Sequence, residues 1–440
     1  MRYVIVGAGA AGVAAAEAIR SRDNLSELII VCEDLHGYYS RPGLAYFITG
    51  ELPEKALFPF QKRDFDRLKI KWVIGKAVRI DPSSHALYIR VTNQTNETSL
   101  KYDKLLVANG AAAVPSDTPG SNLEGVFKLD SLTDAHNIQN LTRKAKAGVV
   151  VGGGITALEL VEALVARKIK VHYLLRGDRY WNNVLDEAES RIVEHRLKEH
   201  GVVIHYKSEL VEIQGKKGKV EAVKLKDGSV IRCEMLGVAI GVKPRMELAK
   251  SANLTSDRGI LVNERMETSA VDVYAAGDCA QVFDPISKKS VVDSLWQPAR
   301  EQGRIAGLNM AGEGCIYVKA IAFNVTRLAE LTTTIIGNVG GGKDEDMVGI
   351  ARGDSETWRQ LPDAITAQTG FEVNHIRLMV GERFLLGAII MGDQTLSFPL
   401  EQIISHRVDI RSIREHLLAP GAKFGDLIID FYNQLQVEYS

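Results

Sequence analysis

Short apolar runs, many rich in β-branched residues, alternate along this chain with longer alanine- and leucine-rich stretches. Runs of about four to eight such residues bounded by turn residues are typical of buried strands, and the longer stretches are typical of helices. The alternation therefore predicts an α/β fold. The predicted strands are Tyr3–Val6, Glu27–Cys32, Tyr102–Gly110, Val149–Val151, Lys170–Leu175, Met235–Ile240, Val271–Asp278 and Arg383–Ile390.

The first strand leads directly into the glycine-rich turn Gly7-Ala8-Gly9-Ala10-Ala11-Gly12. In such a turn the first glycine allows a tight change of direction, the second lets the backbone approach a pyrophosphate, and the third lets helix and strand pack closely. Phosphates then bind unpaired N–H groups at the positive end of the helix dipole. The next strand ends at Glu33, whose carboxylate can accept hydrogen bonds from ribose hydroxyls. The pattern favours a Rossmann-like dinucleotide site over a glycine turn without a ligand.

A second turn of this kind, Gly152-Gly153-Gly154-Ile155-Thr156-Ala157, follows another apolar strand. The strand after it ends not in an acid but in Arg176, with Arg179 close behind. Because a guanidinium holds a 2′-phosphate that an acid would repel, the arginines favour NADPH over NADH. The alternative is that they are solvated surface charges, with Asp178 masking part of their field. A chain with two dinucleotide sites is most simply one that passes electrons between them.

Composition narrows the class of protein further. The chain has 440 residues, of which 45% are hydrophobic and 25% charged, and its formal net charge is −1. This length predicts about two to four domains, and the lack of a basic face argues against a nucleic-acid partner. No apolar run reaches the ~20 residues that span a bilayer. Because a strand begins almost at Met1 and leaves no room for a leader peptide, we expect a cytoplasmic protein. In such a protein the glycosylation-like triplets at Asn93 and Asn96 are chance matches.

The four cysteines are Cys32, Cys233, Cys279 and Cys315. They form no Cys-x-x-Cys pair and show no spacing typical of metal ligands. We therefore expect reduced and mostly buried thiols, and we expect no metal site.

The order of the motifs is specific: a glycine cradle, the strand Tyr102–Gly110, a second cradle, then Val273-Tyr274-Ala275-Ala276-Gly277-Asp278. In this order residues 1–312 resemble the FAD-dependent pyridine nucleotide-disulfide oxidoreductase superfamily. The last stretch is similar to the C-terminal domain of its rubredoxin and ferredoxin reductase and NAD(P)H nitrite reductase branch, notably at Leu385-Leu386-Gly387-Ala388. The resemblance implies three domains. The FAD-binding domain has two parts, residues 1–115 and 243–312. The NAD(P)-binding domain comprises residues 116–242, and the C-terminal α+β interface domain comprises residues 313–440.

The resemblance also implies which residues hold the two cofactors, FAD and NADPH or NADH. The residues that it assigns to FAD are Gly7, Gly9, Ala10, Ala11, Gly12, Glu33, Asp34, Arg41, Pro42, Val78, Ala108, Asn109, Gly110, Asp278 and Pro298. Those that it assigns to the nicotinamide nucleotide are Gly152, Gly154, Ile155, Arg176 and Gly241.

Glu159 matches a family glutamate that pairs with a lysine near flavin N5. No such lysine is evident here, so Arg41 or Lys55 would substitute, and Glu159 and Arg41 are the catalytic candidates. The alternative for Glu159 is an ordinary acid on a helix surface.

Asp278 and the helix near Pro298 also have a chemical argument. Asp278 follows an apolar strand, at the edge where ligands of open α/β sheets collect, although a helix-capping or turn aspartate is the alternative. In the family the helix directs its N-terminus at the flavin N1–C2=O edge. Because reduced flavin is negative there, the positive end of the helix dipole favours acceptance of a hydride.

Pro42 departs from the pattern of the thiol enzymes in this superfamily. Coenzyme A disulfide reductases carry a nucleophilic cysteine just before a Gly-Leu-x-Tyr-x-Ile stretch, which here is Gly43-Leu44-Ala45-Tyr46-Phe47-Ile48. Proline supplies no thiolate. The flavin would then pass its electrons on directly, which suits an iron–sulfur or rubredoxin-type acceptor.

The expected function is an FAD-dependent NAD(P)H oxidoreductase that passes electrons to a small redox protein or a partner subunit. Two alternatives stay open: an oxidase or diaphorase that reduces oxygen, a quinone or another small acceptor, and a non-catalytic flavoprotein that resembles apoptosis-inducing factor. The resemblance further implies a homodimer. The glycine-rich segment 337–342 predicts a flexible loop.

Overall fold

The computed structural model describes residues 1–92, 96–340, 365–371 and 374–438. Asn93 belongs to a glycosylation-like triplet, and Gly341 and Gly342 belong to the predicted flexible loop. These three residues lie outside the described residues. The α/β fold predicted from the sequence is confirmed, with strands and helices alternating through the first two thirds of the chain.

The N-terminal segment forms a sheet in which β6, β1, β2 and β3 lie side by side and parallel. The long β3 continues into an antiparallel extension with β4 and β5. The elements are β1 (Arg2–Val6), α1 (Ala10–Arg20), β2 (Glu27–Cys32), α2 (Leu44–Thr49), a short 3₁₀ turn (Glu54–Leu57), α3 (Lys62–Arg67), β3 (Ile70–Asp81), β4 (Ala86–Val91), β5 (Glu97–Lys101), β6 (Lys104–Val107) and β7 (Ala111–Ala113).

The next segment forms a parallel five-stranded sheet in the order β11-β10-β9-β15-β8, covered on one side by the antiparallel strands β12 to β14. Strand β16 pairs with β7, so the two connections between the sheets run side by side. The elements are β8 (Val126–Phe127), α4 (Leu132–Thr142), β9 (Ala147–Val151), α5 (Ile155–Ala166), β10 (Lys170–Leu174), α6 (Glu187–Glu199), β11 (Val203–His205), β12 (Leu210–Lys216), β13 (Lys219–Leu225), β14 (Val230–Arg232), β15 (Met235–Val238) and β16 (Val242–Pro244).

The third segment returns to the first sheet, where β18 pairs in parallel with β6. Its long helix α8 packs closely on α1, because Gly303 and Gly307 face the backbone of Ala11 and Ala15. A Cβ added at Gly303 would lie 2.0 Å from the Ala11 carbonyl oxygen. The elements are α7 (Glu247–Ser251), β17 (Ile260–Leu261), β18 (Val273–Ala275), β19 (Ala280–Asp284), β20 (Lys289–Val292) and α8 (Trp296–Met310).

The last segment is an antiparallel sheet in the order β21-β22-β25-β24-β23, with helices packed on one face around a separate apolar core. The elements are β21 (Phe323–Leu328), β22 (Leu331–Gly337), β23 (Ile365–Phe371), β24 (Asn374–Val380), β25 (Leu385–Met391), α9 (Ser397–Ser405), α10 (Arg414–Leu418) and α11 (Phe424–Glu438).

The strands of the two parallel sheets are buried on both faces, as their continuous apolar sequences predict. Val4, Ile5, Leu28, Ile30 and Leu105 are all fully enclosed. None of the helices in the described ranges combines the length and the apolar character that a bilayer crossing needs.

Candidate functional site

The first glycine turn has the geometry that its sequence predicts. Gly7 has a φ of +108°, and a Cβ there would lie 2.2 Å from the Ala108 carbonyl oxygen. A Cβ at Gly12 would lie 2.0 Å from the Gly7 carbonyl oxygen. A Cβ at Gly9, by contrast, would meet no protein atom within 4 Å. Gly7 and Gly12 are therefore required by the fold, whereas Gly9 keeps open a space that a ligand can enter.

The second glycine turn is built the same way. Gly152 has a φ of +148°, and a Cβ there would lie 2.1 Å from the Ala239 carbonyl oxygen and 2.9 Å from Ala157 Cβ. Helices α1 and α5 begin after Gly9 and Gly154, and neither glycine supplies a side-chain cap. The first N–H groups of both helices are thus left for an external acceptor, as in a phosphate site.

A cavity of about 820 Å³ extends from the first turn to helix α5. It brings together most of the residues predicted to hold FAD, along with both catalytic candidates. The predicted residues that line it are Gly7, Gly9, Ala10, Ala11, Glu33, Asp34, Arg41, Pro42, Ala108, Asn109, Gly110, Asp278, Ile155 and Glu159. The other residues predicted to hold the nicotinamide nucleotide do not line this cavity; they are Gly152, Gly154, Arg176 and Gly241.

Two residues predicted to contact FAD, Val78 and Pro298, do not line the cavity. Val78 sits at an irregularity in the β3–β4 pairing, and Gly75, Lys76 and Ala77 line the cavity instead. Helix α8 begins at Trp296, so Ser294, Leu295 and Trp296 take the place in the wall that was predicted for Pro298. Gly12 does not line the cavity and packs behind the turn against the Gly7 carbonyl group.

The arginines after β10 differ in their surroundings. Arg179 lies 3.4 Å from Asp178 Oδ1 and also donates to the Asn182 carbonyl, so its charge is partly neutralised. Arg176 is exposed at the end of the strand, beside the second glycine turn. Gly241, at the end of the neighbouring connection, accepts a hydrogen bond from the Val114 N–H group. Of the two arginines, it is therefore the charge of Arg179 that Asp178 partly neutralises.

Asp130 organises one side of the cavity, a role that no sequence motif indicated. Arg41 Nη1 donates to its carbonyl oxygen at 3.0 Å and lies 3.6 Å from its carboxylate. Arg245 lies 3.8 Å from both Asp130 and Glu33. This network holds Arg41 in the cavity wall, whereas Lys55, the other suggested substitute for the family lysine, is exposed on the 3₁₀ turn.

Burial favours the protonated form of three of the four thiols, those of Cys32, Cys233 and Cys279. Burial raises the pKa of Cys279 to about 11 and that of Cys233 to about 12. Burial also raises the pKa of Cys32, which lines the cavity beside Glu33, at the end of β2. Pro42, not a cysteine, occupies the wall near Arg41. A buried thiol with a raised pKa is a poor nucleophile.

One potential metal-ligand cluster lies away from the cavity. Asp186, Glu189 and His375 bring three donor atoms within 4.8 Å of one another. Arg377 supplies the positive charge that balances the two carboxylates, because its Nε lies 2.8 Å from Glu189 and 3.8 Å from Asp186. The group is an ion-pair cluster that joins α6 to β24.

The residues of the cavity fit an FAD molecule. The open space at Gly9, the uncapped start of α1 and the acids at the end of β2 match the needs of a pyrophosphate and a ribose. In addition, Asn109 Oδ1 is buried in the wall and has no hydrogen-bond partner among the described residues. A buried acceptor without a partner is destabilising unless a ligand supplies a donor.

Comparison with known proteins decides the family. The sequence profile described as pyridine nucleotide-disulphide oxidoreductase matches residues 1–303. The chain belongs to this family. A family relative, the NADH oxidase of Methanocaldococcus jannaschii, is 30% identical over 336 residues, which are 75% of each chain. The rubredoxin-NAD(+) reductase of Ectopseudomonas oleovorans is 32% identical over 289 residues, 65% of this chain and 73% of the other.

The fold extends to solved structures. The NAD-dependent persulfide reductase from A. fulgidus has a TM-score of 0.82 and 26% identity, with 94% of this chain and 78% of that chain covered. Family membership and the two glycine turns together make this protein an FAD-dependent oxidoreductase that uses NAD(P)H. Bound in this cavity, FAD would supply the group that takes up hydride from the nicotinamide and delivers electrons to an acceptor. The protein's own residues position the two nucleotides and exclude competing groups.

Proposed function

We propose that this protein transfers electrons from NADPH, through FAD, to a one-electron carrier protein or a redox partner subunit, with no thiol relay. The observation that carries the proposal is Pro42 in the cavity wall, at the place where the thiol enzymes of the family resemblance have their cysteine. Because burial raises the pKa values of Cys32, Cys233 and Cys279, these three thiols are poor candidates for a sulfur relay.

The name of one relative supports this choice of acceptor. One is a rubredoxin reductase, whose partner is by its name a small one-electron carrier. The persulfide reductase shares the fold, but its substrate belongs to the sulfur chemistry that Pro42 argues against. The name of the NADH oxidase favours oxygen as a second candidate acceptor, and the experiment below separates the two.

In this proposal the first glycine turn, Glu33, Asp34, Asp278 and residues 108–110 hold FAD, and the start of α8 faces its N1–C2=O edge. The second glycine turn, Ile155, Gly241 and Arg176 hold NADPH. Glu159 and Arg41 act at the nicotinamide–flavin contact, where both line the same cavity. The segment boundaries 1–115, 116–242, 243–312 and 313–440, a cytoplasmic location and a homodimer formed through the last segment belong to the same proposal.

Stopped-flow reduction of the flavin tests the donor side. We expect fast bleaching of the flavin absorbance with NADPH and slower bleaching with NADH. A rate of reduction too slow to support turnover would instead indicate a non-catalytic flavoprotein.

A panel of rubredoxin, ferredoxin, quinone, coenzyme A disulfide and oxygen tests the acceptor side. We expect rapid re-oxidation by one or both of the iron proteins and none by coenzyme A disulfide. Steady oxygen consumption that exceeds transfer to either iron protein would make the oxidase the better description.

A further inference from the structure

Arg245 lines the cavity and comes directly after β16, where no sequence motif pointed to it. The loop between β6 and β7 holds it in place. The Arg245 N–H group donates to the Gly110 carbonyl oxygen at 3.0 Å, and its own carbonyl oxygen accepts from Asn109 Nδ2 at 3.2 Å. Its Nε donates to the Ala111 carbonyl oxygen at 3.2 Å. The base of the guanidinium is therefore fixed, and its two terminal nitrogens remain for other partners.

The terminal nitrogens of Arg245 lie close to two acids without a hydrogen bond to either. Nη1 is 3.8 Å from Glu33 Oε2, and Nη2 is 3.8 Å from Asp130 Oδ2. Both distances exceed the about 3.2 Å at which an N–H group donates well to oxygen. The Arg245 side chain is also 35% exposed. Its terminal N–H groups can therefore still donate to an anion that enters the cavity.

The charges around Asp130 give this part of the wall an excess of positive charge. Arg41 Nη1 and Lys128 Nζ each lie 3.6 Å from the Asp130 carboxylate, and Arg245 completes the set at 3.8 Å. When Glu33 is counted as well, three cations stand against two acids. Glu33 is moreover 55% exposed, so solvent screens its charge more than that of Asp130, which is 10% exposed. This region attracts anions.

The cavity as a whole has the opposite character. Its described lining contains six acids and three cationic side chains: Glu33, Asp34, Asp130, Glu159, Glu247 and Asp278 against Arg41, Lys76 and Arg245. A pyrophosphate carries two negative charges, and most of this wall would repel it. The two lining cations next to Asp130 are Arg41 and Arg245, so their surroundings are the favourable place for a pyrophosphate.

The first glycine turn lies at the same place. Residues 109–111, which hold Arg245, follow Ala108, and the Ala108 carbonyl oxygen packs against Gly7. Strand β1 lies between β6 and β2, and Glu33 follows β2. A guanidinium that is bonded to the loop after β6 and lies 3.8 Å from Glu33 therefore extends over the carboxyl end of β1. The glycine turn, with its phosphate-binding geometry, begins there.

Resting on the proposed placement of FAD in this cavity, we propose that Arg245 is a binding residue for the pyrophosphate of FAD, together with Arg41. Its terminal nitrogens donate charge-assisted hydrogen bonds to phosphate oxygens. Glu33 then stays available for the ribose, and Asp130 keeps both guanidinium groups in the wall. The hydrogen bonds from residues 109–111 hold the Arg245 side chain in position before the ligand arrives, which lowers the entropic cost of binding.

Flavin fluorescence quenching on the full-length apoprotein tests the contact. We expect Arg245→Met to raise the dissociation constant for FAD by about tenfold or more. Lys243→Met is the matched control, because it removes the same charge from an exposed position in β16 that does not line the cavity, and it should change the constant by less than about twofold. Arg245→Lys should recover part of the affinity, since it keeps the charge but not the two-nitrogen geometry. Wild-type affinity in Arg245→Met would overturn the assignment.

The salt dependence of binding separates a phosphate contact from a loss of structure. Raising NaCl from about 50 to about 500 mM should weaken FAD binding to the wild type more steeply than binding to Arg245→Met or Arg245→Lys. The thermal midpoint of the Arg245→Met apoprotein should stay within a few degrees of that of the wild type. An equal salt dependence in all three proteins, or a large fall in the midpoint, would show a structural role and refute the contact.

A double-variant cycle tests whether Arg245 acts on FAD only by orienting Glu33. We expect Arg245→Met to weaken FAD binding by about the same factor in a Glu33→Gln background as in the wild type. Disappearance of the loss in that background would refute a direct contact with the phosphates.

The two proposals fail in different ways. A wild-type protein that binds no FAD would disprove the proposed function. A wild-type protein that binds FAD and is reduced by NADPH, with unchanged FAD affinity in Arg245→Met, would disprove the role of Arg245 alone.

Discussion

Arg377 of the C-terminal sheet and Glu189 of helix α6 form a two-fold ion pair, with nitrogen–oxygen distances of 2.8 and 3.0 Å. Both side chains are buried, at 4% and 0% exposure. Burial alone would raise the pKa of Glu189, but hydrogen bonds and charge from His375 and Arg377 lower it overall. The pair therefore joins strand β24 of the last segment to helix α6 through enclosed charges.

Removing one member of this pair should strongly destabilise the protein. We expect Arg377→Met to lower the free energy of unfolding by about 3–5 kcal/mol, because it leaves a buried carboxylate without its counter-charge. The double variant Arg377→Met with Glu189→Gln should recover most of that loss. Urea unfolding followed by fluorescence measures both, and equal stabilities of the single and double variants would contradict this account.

The first glycine turn offers a matched pair of substitutions. Gly7→Ala should destabilise the protein even without FAD, because the new Cβ would lie 2.2 Å from the Ala108 carbonyl oxygen and φ is +108°. Gly9→Ala places its Cβ in open space, so the cofactor-free protein should keep its thermal midpoint within a few degrees. FAD binding to Gly9→Ala, measured by flavin fluorescence quenching, should weaken by about tenfold or more. Tight binding to this variant would place the pyrophosphate elsewhere.

Substitutions at Arg176 and Arg179 test whether the protein distinguishes NADPH from NADH. Arg176→Ala should raise the KM for NADPH by about tenfold or more and leave that for NADH nearly unchanged, because only NADPH carries the 2′-phosphate. Arg179→Ala is the matched control and should have a smaller effect, because Asp178 already neutralises part of its charge. Equal losses for both nucleotides in Arg176→Ala would remove the argument for a phosphate contact.

Glu162 should make the stability of the protein depend on pH. Burial raises the pKa of its carboxyl group to about 7 in the folded protein, above the ordinary value of 4.5. The folded state therefore binds more protons between these values, and its stability should fall as pH rises from about 4.5 to about 7. The loss is at most about 3 kcal/mol, and solvent screening of a partly exposed group reduces it. Thermal midpoints across pH 4.5–8 should show a shallower decline in Glu162→Gln than in wild type.

Electron transfer should survive removal of the thiols. Replacing Cys32, Cys233, Cys279 and Cys315 by alanine should keep the rate of flavin reduction by NADPH within about threefold, although loss of buried side chains lowers stability. A single variant at Cys32, which lines the cavity, is the most direct check. A charge-transfer band between thiolate and flavin in the wild type, absent from that variant, would refute the thiol-free pathway.

The sequence predicted the parts of the site that local backbone geometry determines. Gly7 and Gly152 are recognisable because a strand that turns immediately into a helix requires positive φ and a close carbonyl at that position. The sequence did not predict that residues 75–77 and 294–296 line the cavity, because an irregularity in β3 and the start of α8 at Trp296 depend on neighbouring strands and helices.

Contacts between distant segments had no local signal in the sequence. Glu162 looks like any acid on an alanine- and leucine-rich helix, and Arg327 lies in a strand without a motif. They meet because the β21–β22 hairpin docks on α5, more than 150 positions away along the chain. Asp130 and Arg245 join the wall in the same manner, through packing between segments.

The amino-acid sequence by itself determined the two glycine turns, the α/β architecture and the absence of a cysteine before Gly43, because each depends on residues that are neighbours in the chain. The tertiary structure alone decided which ionisable groups face one another across the cavity. Their pKa values and ion pairs are set by burial and by distances between segments, and those quantities exist only once the sheets have packed together.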